Sequence, residues 1–443
     1  MTLDFKHASA IEGVRFTAQV GIPGVIQGLF KKREAPTTVA GLVAADHLAY
    51  RLVHGLINKY GPDPFYIRVA TDEALLVHHP EDIEFVLGGS PSPFASDPEA
   101  KKKGMSAFQP DALTLSRGDL WQNRRLFAEA VLDTGKPLHR QATTYVKVVA
   151  QEADVLLALD RPLEWDDLNE SFQRITRRVV FGDAAADDKG LTALLGDLMA
   201  AGNKMPGKPA DGYDELIERI TLHLSKPGRG SLASLVAKAP SDDSTEVAGQ
   251  LIHWLFAMGD TLPANLFRTL ALLATHPLQL TEVRAEVGAT PPKTAAAVAG
   301  TTYLAGCILD TMRLWPTTAL FGRVTTGDVR FKNGEVVKEG TQILIHNLTN
   351  HRNRDRVAFA DRFAPEEWAS GDASKDWSFN FFSNGPQGCP GGGLSVFLGQ
   401  ALLAHLVTRA TPKVIGRGLD PGKPLPYALD VYRLKIRLSK AKA

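Results

Sequence analysis

Phe381-Phe382-Ser383-Asn384-Gly385-Pro386-Gln387-Gly388-Cys389-Pro390-Gly391-Gly392-Gly393 is the stretch on which the reading of this chain turns. Its cysteine stands just before a long apolar segment, about residues 392–409, whose pattern predicts a helix. A sulfur placed there faces the free N–H groups of the first helical turn and the positive end of the helix dipole, and both favour a thiolate. Gly391, Gly392 and Gly393 carry no side chain to block backbone N–H groups. Gly385 allows a tight turn upstream, and Phe382 can lie against a ligand and keep water away. A soft anionic sulfur in a dry, hydrogen-bonded loop is what iron needs from a single strong axial ligand. A structural free cysteine in a glycine-rich turn is the plainer alternative. A phosphate-binding loop fits less well, because the Lys-Ser/Thr ending is missing.

Outside this loop, the composition narrows the class. The chain has 443 residues, 44% hydrophobic and 22% charged, with no Pro/Ser/Gly-rich or charge-run linker that would divide it. A single domain over residues 1–443 is expected, beginning with an N-terminal surface segment to about residue 60, and it is long enough to enclose a bulky cofactor. The 50 basic and 49 acidic residues are scattered, which argues against nucleic acid as a partner. The short run Lys101-Lys102-Lys103 reads as a solvated loop. Two cysteines, Cys307 and Cys389, exclude a disulfide framework and a Cys-rich zinc site, and suit a reducing cytosol. The most apolar N-terminal stretch, residues 20–26, is too short and too rich in Gly and Pro to form a transmembrane anchor. Cys307 reads as a buried small hydrophobe.

Along the chain, residues 65–69 and 74–77 read as strands, followed by a helix opening at Pro80. Residues 92–118 read as loop. A helix from near Asp119 carries Trp121 and Arg125 one turn apart on one face. Residues 183–245 are helical but broken by Pro, Gly and small polar stretches, which predicts a lid. Residues 245–275 form the longest strongly apolar helix pattern, kinked or opened at Pro263. A further helix ends before Pro316, short strands fall near 336–337, 342–345 and 429–438, and residues 350–388 are irregular. The picture is mainly α with minor β.

The spacing Phe382, Gly385, Cys389, Gly391 resembles the Phe-x-x-Gly-x-x-x-Cys-x-Gly signature of the cytochrome P450 haem-thiolate monooxygenases. The likeness runs in order over roughly residues 60–440. It implies a large helical lobe and a small β-rich lobe around a buried haem b, with Cys389 as axial ligand of the iron. Trp121 and Arg125 match the family's Trp-x-x-x-Arg pair, which holds a haem propionate, and Arg323 matches a second propionate-binding Arg. Gln387 stands where relatives often place His or Arg, so that contact is weaker and uncharged. Asp260-Thr261 resembles the acid–alcohol pair of the central helix, as expected where dioxygen must receive two protons before its O–O bond breaks. Met258 stands where the family usually has Gly.

The largest departure lies in the family's Glu-x-x-Arg helix, which here reads Asp310-Thr311-Met312-Arg313. Glu367 occupies the position of the third partner, normally Arg, so two acids share one base. The expectation is that Arg313 binds both Asp310 and Glu367, with His351 or Arg352 assisting.

By the same resemblance, Phe108, Ala257, Met258, Thr317, Thr318, Ala319 and Leu320 line the substrate pocket. That set is mainly apolar with two hydroxyls and suits a small hydrophobic substrate. No dinucleotide fingerprint is present, so electrons are expected from a ferredoxin or flavodoxin with its NAD(P)H reductase, docking near Arg124 and Lys136 in a cytoplasmic, bacterial setting. The alternatives are a peroxide-driven or non-oxidative haem-thiolate enzyme, a haem sensor or carrier without turnover, and a haemless helical binding protein.

Overall fold

A computed structural model describes residues 4–416 and 419–441. A five-stranded sheet lies at one side of the molecule, in the order Phe65–Val69, Asp72–Leu76, Gln342–His346, Leu320–Thr325, Phe94–Ala95. The first two strands form an antiparallel hairpin. Asp72–Leu76 then pairs in parallel with Gln342–His346, Ala74 opposite Gln342, joining an early hairpin to a late one. Alternation along these strands sends Leu75, Ile343 and Ile345 to one face and Ala74, Leu76 and Leu344 to the other. Each face has its own apolar cluster, so the sheet is covered on both sides.

The larger lobe is helical and holds one extensive core. Through it runs the central helix, in three parts: an α-helix Val247–Phe256, a π-turn Ala257–Thr261, and an α-helix Leu262–Thr275. The opening predicted at Pro263 is the π-turn just before it. Proline has no N–H to continue the ladder, and the wider i→i+5 turn absorbs the mismatch. The helix after the cysteine loop, Gly392–Arg409, packs against the helices Thr302–Leu314 and Ala142–Leu157, which fixes the loop on the lobe.

Two expectations are corrected. Residues 92–118 are not a plain loop: they contain the strand Phe94–Ala95, a helix Glu99–Met105 and a 3₁₀ turn Leu113–Leu115. Lys101 therefore belongs to a helix, and its side chain turns inward. At the C-terminus only Ile436–Lys440 is a strand, pairing with Ala410–Val414, while Val431–Arg433 is a 3₁₀ turn. The segment expected at the surface up to about residue 60 contains the α-helices Ala10–Phe16, Ile22–Gln27, Glu34–Leu42 and Ala45–Tyr60.

Candidate active site

The cysteine loop is held by its own backbone. Cys389 N–H donates to Phe382 O at 2.7 Å, and Gly388 N–H to Gly385 O at 2.9 Å. Gly385 is required twice over: its φ is +70°, and a Cβ there would lie 2.4 Å from Leu87 O. From the facing helix Gly118–Leu132, Arg125 Nη1 donates to Gly388 O at 2.5 Å. Just beyond that helix, Thr134 Oγ1 donates to Pro390 O at 2.7 Å. The ring of Phe382 lies against Gly392, 3.6 Å from where a Cβ would stand. A Cβ on Gly391 would meet only Leu132, at an ordinary 3.8 Å, so the protein's own packing does not demand glycine there.

The Cys389 side chain borders open space, yet protein encloses it deeply enough that burial raises its thiol pKa. The Gly391 N–H and the Arg125 charge act in the opposite direction without overcoming burial. This corrects the expectation that the loop alone would lower the pKa. A thiolate at this position needs a cation against it, which a coordinated metal supplies.

Four further groups lie around the loop. Trp121 packs on the main core, and its indole N–H has no hydrogen-bond partner among the described residues. Arg125 is already matched by Glu129, its Nε lying 2.6 Å from Oε1. Arg323 is buried and donates only to uncharged oxygens: Ser90 Oγ at 3.1 Å, Gly322 O at 3.1 Å and Ser383 Oγ at 3.0 Å. Gln387 donates to Ser96 Oγ at 3.2 Å, while its Oε1 is buried without a partner. An unpaired buried guanidinium and an open indole N–H beside an open-faced cysteine fit a large acidic macrocycle, whereas the orphaned Gln387 amide oxygen is an acceptor that a carboxylate does not satisfy. Carboxylates for the donors and a metal for the sulfur are the two things the residues lack.

On the central helix, the π-turn frees Gly259 O, which accepts from Asn169 Nδ2 at 3.2 Å and Gln173 Nε2 at 2.8 Å. Asp260 points into a cluster of charges, with Lys31 Nζ 3.6 Å from Oδ1, and burial holds its carboxyl above the usual range. The Thr261 carbonyl accepts from Asn265 Nδ2 at 3.2 Å, and its hydroxyl has no partner among the described residues.

Of the predicted pocket residues, Phe108 is fully buried and Ala257 half-buried. Met258 is buried in the helical core. Thr317, Thr318 and Ala319 border open space, and Leu320 is half-buried.

Sequence reasoning missed two features here. His253 lies four and eight residues before Ala257 and Thr261, on one helical face with them. Its Nδ1 is 3.0 Å from Gln109 Oε1, and its Nε2 has no partner among the described residues. Burial, aided by the charge of Lys101, holds its pKa down at about 4, so it is neutral at pH 7. The second feature is an N-terminal strap. Phe30 packs edge-on against Phe108, with centroids 5.6 Å apart, and its N–H donates to Asn203 Oδ1 at 2.9 Å. Asn203 Nδ2 in turn donates to Lys31 O at 2.8 Å. A segment read as surface covering thus reaches the pocket wall. Only the 3.6-residue spacing of His253 could have been read beforehand; nothing in residues 28–33 signals the strap.

The expected Asp310–Arg313–Glu367 network is corrected. Arg313 binds Asp310, with Nε 2.6 Å from Oδ1 and Nη2 3.2 Å from Oδ2, and both side chains are fully buried. The rest of the guanidinium is taken by the carbonyls of His351, Phe359, Ala360 and Arg362. Glu367 has no side-chain bond to either residue. The remaining donors to Asp310 are Trp368 Nε1 at 3.0 Å and Ala364 N–H at 2.8 Å. An indole next in sequence thus replaces the second cation, and the pair stays neutral without a third charge.

Trp368→Phe is expected to cost about 1.5–3 kcal/mol, the range for a hydrogen bond to a charged group. Glu367→Ala should stay within about 0.5 kcal/mol. Denaturant midpoints of the two variants check the contrast.

Arg124 is corrected as well. It is 5% exposed and bonded to Ser116, Asp111 and Ser244, so it offers no charge to a docking partner. Lys136 is exposed and paired with Asp133. A hollow of about 560 Å³ is bordered by Leu309, Phe382, Asn384, Cys389, Gly393 and Val396. None of Lys101, Trp121 or Arg323 borders it.

Comparison with known proteins agrees with this geometry. The family profile described as Cytochrome P450 matches residues 194–417. "Cytochrome P450 81F4" of Arabidopsis thaliana is 22% identical over 397 residues, covering 78% of this chain and 78% of the relative. "Cyclooctat-9-en-7-ol 5-monooxygenase" of Streptomyces melanosporofaciens is 24% identical over 347 residues, covering 70% and 73%. "Abscisic acid 8'-hydroxylase 3" of Oryza sativa subsp. indica is 27% identical over 226 residues, covering 48% and 44%.

Proposed function

This chain belongs to the cytochrome P450 family and is a haem-thiolate monooxygenase, and from that premise we propose how its own residues divide the work. Haem b is the cofactor that these residues suit, and the Cys389 thiolate would hold its iron. The observation that carries this is the exposed Cys389 face within a loop otherwise closed by its own hydrogen bonds. When bound, the haem supplies the redox chemistry that activates dioxygen and inserts one oxygen atom into the substrate.

The protein's share is binding, orientation and proton movement. Phe382, Gly385 and Gly391 shape and shield the sulfur's surroundings. Trp121, Arg125 and Arg323 would hold the carboxylates of the macrocycle, with Arg125 also bracing Gly388 O, and Gln387 would join them only through the Nε2 that now donates to Ser96 Oγ. Asp260 takes protons from solvent through the Lys31 cluster, and Thr261 passes them on from the next position of the opened turn. A carboxyl held above its usual pKa is better able to carry a proton at neutral pH.

The substrate is a small, mainly apolar molecule resting on Phe108, Ala257, Met258, Thr317, Thr318, Ala319 and Leu320. Neutral His253 has its Nε2 available for one hydrogen bond with it. Residues 183–245 act as the lid within a single catalytic domain. The family uses a redox partner. Here we take it to be a ferredoxin or flavodoxin with its NAD(P)H reductase, seated near the cysteine loop. Among the described residues, no helix is long and apolar enough to cross a membrane. The two free cysteines and the Streptomyces relative support a cytoplasmic, bacterial setting.

Asp260→Asn and Thr261→Val test the relay. Each is expected to lower product formation on the order of a hundredfold, the scale of a positioned proton donor. NADPH oxidation should fall less, with the surplus electrons recovered as hydrogen peroxide. Unchanged coupling of NADPH to product in both variants would remove these residues from proton delivery.

A further inference from the structure

One polar pair interrupts the aromatic wall beside the central helix. Phe30, Phe108, Phe256 and His253 meet edge to face in turn, with ring centroids 5.6, 5.7 and 6.0 Å apart. Gln109 follows Phe108 in sequence, and Ala257 stands one helical turn after His253. The hydrogen bond between His253 Nδ1 and Gln109 Oε1, at 3.0 Å, therefore ties the central helix to the neighbour of a pocket residue.

The pair does not satisfy itself. His253 Nε2 has no partner among the described residues, and the fully buried Gln109 keeps an amide nitrogen without one. Polar groups left open at depth are costly, and two apolar side chains of like size would pack there without that cost. His253 is half-buried, yet burial is the chief cause that pushes its pKa down to about 4. Open area in so deep a setting belongs to a side chain that borders an enclosed hollow. Ala257 and Thr261 share its helical face, so that hollow is the substrate pocket.

The surroundings narrow what the ring can meet. The charge acting on His253 is that of Lys101, whose ammonium donates to Ser96 O at 2.8 Å and Thr114 O at 3.3 Å. A ligand's ammonium would be repelled there, and a carboxylate would lose its water against a neutral ring. An uncharged polar group remains. The Gln109 amide presents His253 with either an acceptor or a donor, which makes Nε2 the acceptor in one arrangement and the donor in the other. A hydroxyl serves both arrangements, whereas a carbonyl serves one.

We propose that His253, oriented by Gln109, selects a substrate whose small apolar skeleton carries a hydroxyl, which bonds His253 Nε2. The inference rests on the haem-thiolate reading above and gives it a substrate class, an alcohol rather than a bare hydrocarbon. His253 is the specificity residue and Gln109 a positioning residue.

The test uses the haem-loaded protein and matched pairs of ligands: p-menthane and menthol, decalin and decalol, adamantane and adamantanol, cyclododecane and cyclododecanol. Binding is read from the Soret shift of the ferric protein, and each pair yields a ratio of dissociation constants. In the parent, the alcohol of the best-fitting pair is expected to bind about fivefold more tightly than its hydrocarbon. His253→Leu should erase or reverse that preference, with the hydrocarbon held within about twofold of its parental affinity. Gln109→Met should weaken the preference, and His253→Gln, which returns a polar group near the Nε2 position, should keep most of it. Should His253→Leu not fold, His253→Phe, which continues the aromatic row, carries the same readout. Equal weakening of both members of a pair overturns the proposal, leaving His253 as a packing residue. A parent that binds hydrocarbons as tightly as their alcohols, or that responds to none of the alcohols, also overturns it. A parent without the red-shifted carbon monoxide band fails the haem-thiolate reading instead, and is recognised before any ligand is added.

Discussion

Serine in place of Cys389 is expected to abolish the thiolate-type spectrum and to reduce monooxygenation on the order of a thousandfold or more, roughly 4 kcal/mol of transition-state stabilisation. Serine keeps the size of the side chain and the backbone bonds that close the loop, from Cys389 N–H to Phe382 O and from Gly392 N–H to Cys389 O. What it removes is a soft donor that a metal deprotonates readily. A hydroxyl in the same enclosed setting is harder and far less acidic. The substitution therefore separates loop structure from ligand chemistry. Fold, measured by far-ultraviolet circular dichroism, should hold, while the visible spectrum and product formation change together.

Alanine in place of Asp310 is expected to be the most damaging change away from the cysteine, costing about 3–5 kcal/mol. Asp310 and Arg313 are both fully buried, and the carboxylate is also the acceptor for Trp368 Nε1 and Ala364 N–H. Its removal leaves a guanidinium surrounded only by carbonyl oxygens, and strands two further buried donors. The helix Thr302–Leu314 carries this pair and packs directly on the cysteine helix Gly392–Arg409, so the damage spreads to the loop. The denaturant midpoint should fall sharply, and haem should be lost at a denaturant concentration that the parent protein tolerates. Asp310→Glu is not expected to match the parent, because a longer side chain moves the carboxylate away from the positions where it meets Arg313 Nε at 2.6 Å and Trp368 Nε1 at 3.0 Å.

The contrast between these two sites shows what residue order reveals. The cysteine loop was legible because its chemistry is local: sulfur, glycines and the following apolar helix are consecutive. The three-part central helix was legible for the same reason, since Pro263 marks its opening.

The buried network was not legible. Counting charges at family positions pointed to Glu367, but the partner is Trp368, whose N–H looks in sequence like one more core aromatic. Lys101 was hidden by its neighbours, because a run of three lysines reads as solvent-facing until a helix turns one of them inward. Lys31 and Phe30 reach the pocket through long-range packing against Asn203 and Phe108, which no local pattern records. Even at the loop, sequence reasoning left burial out: enclosure raises the thiol pKa more than the Gly391 N–H and the Arg125 charge lower it.

The carbon monoxide difference spectrum of the reduced protein, recorded in parallel for the parent and Cys389→Ser, addresses the sulfur–iron bond most directly. The account predicts the strongly red-shifted Soret band of a thiolate-ligated haem in the parent and its absence in the serine variant. A parent protein that takes up no haem when haem is plentiful, or a serine variant that keeps the red-shifted band, would contradict it.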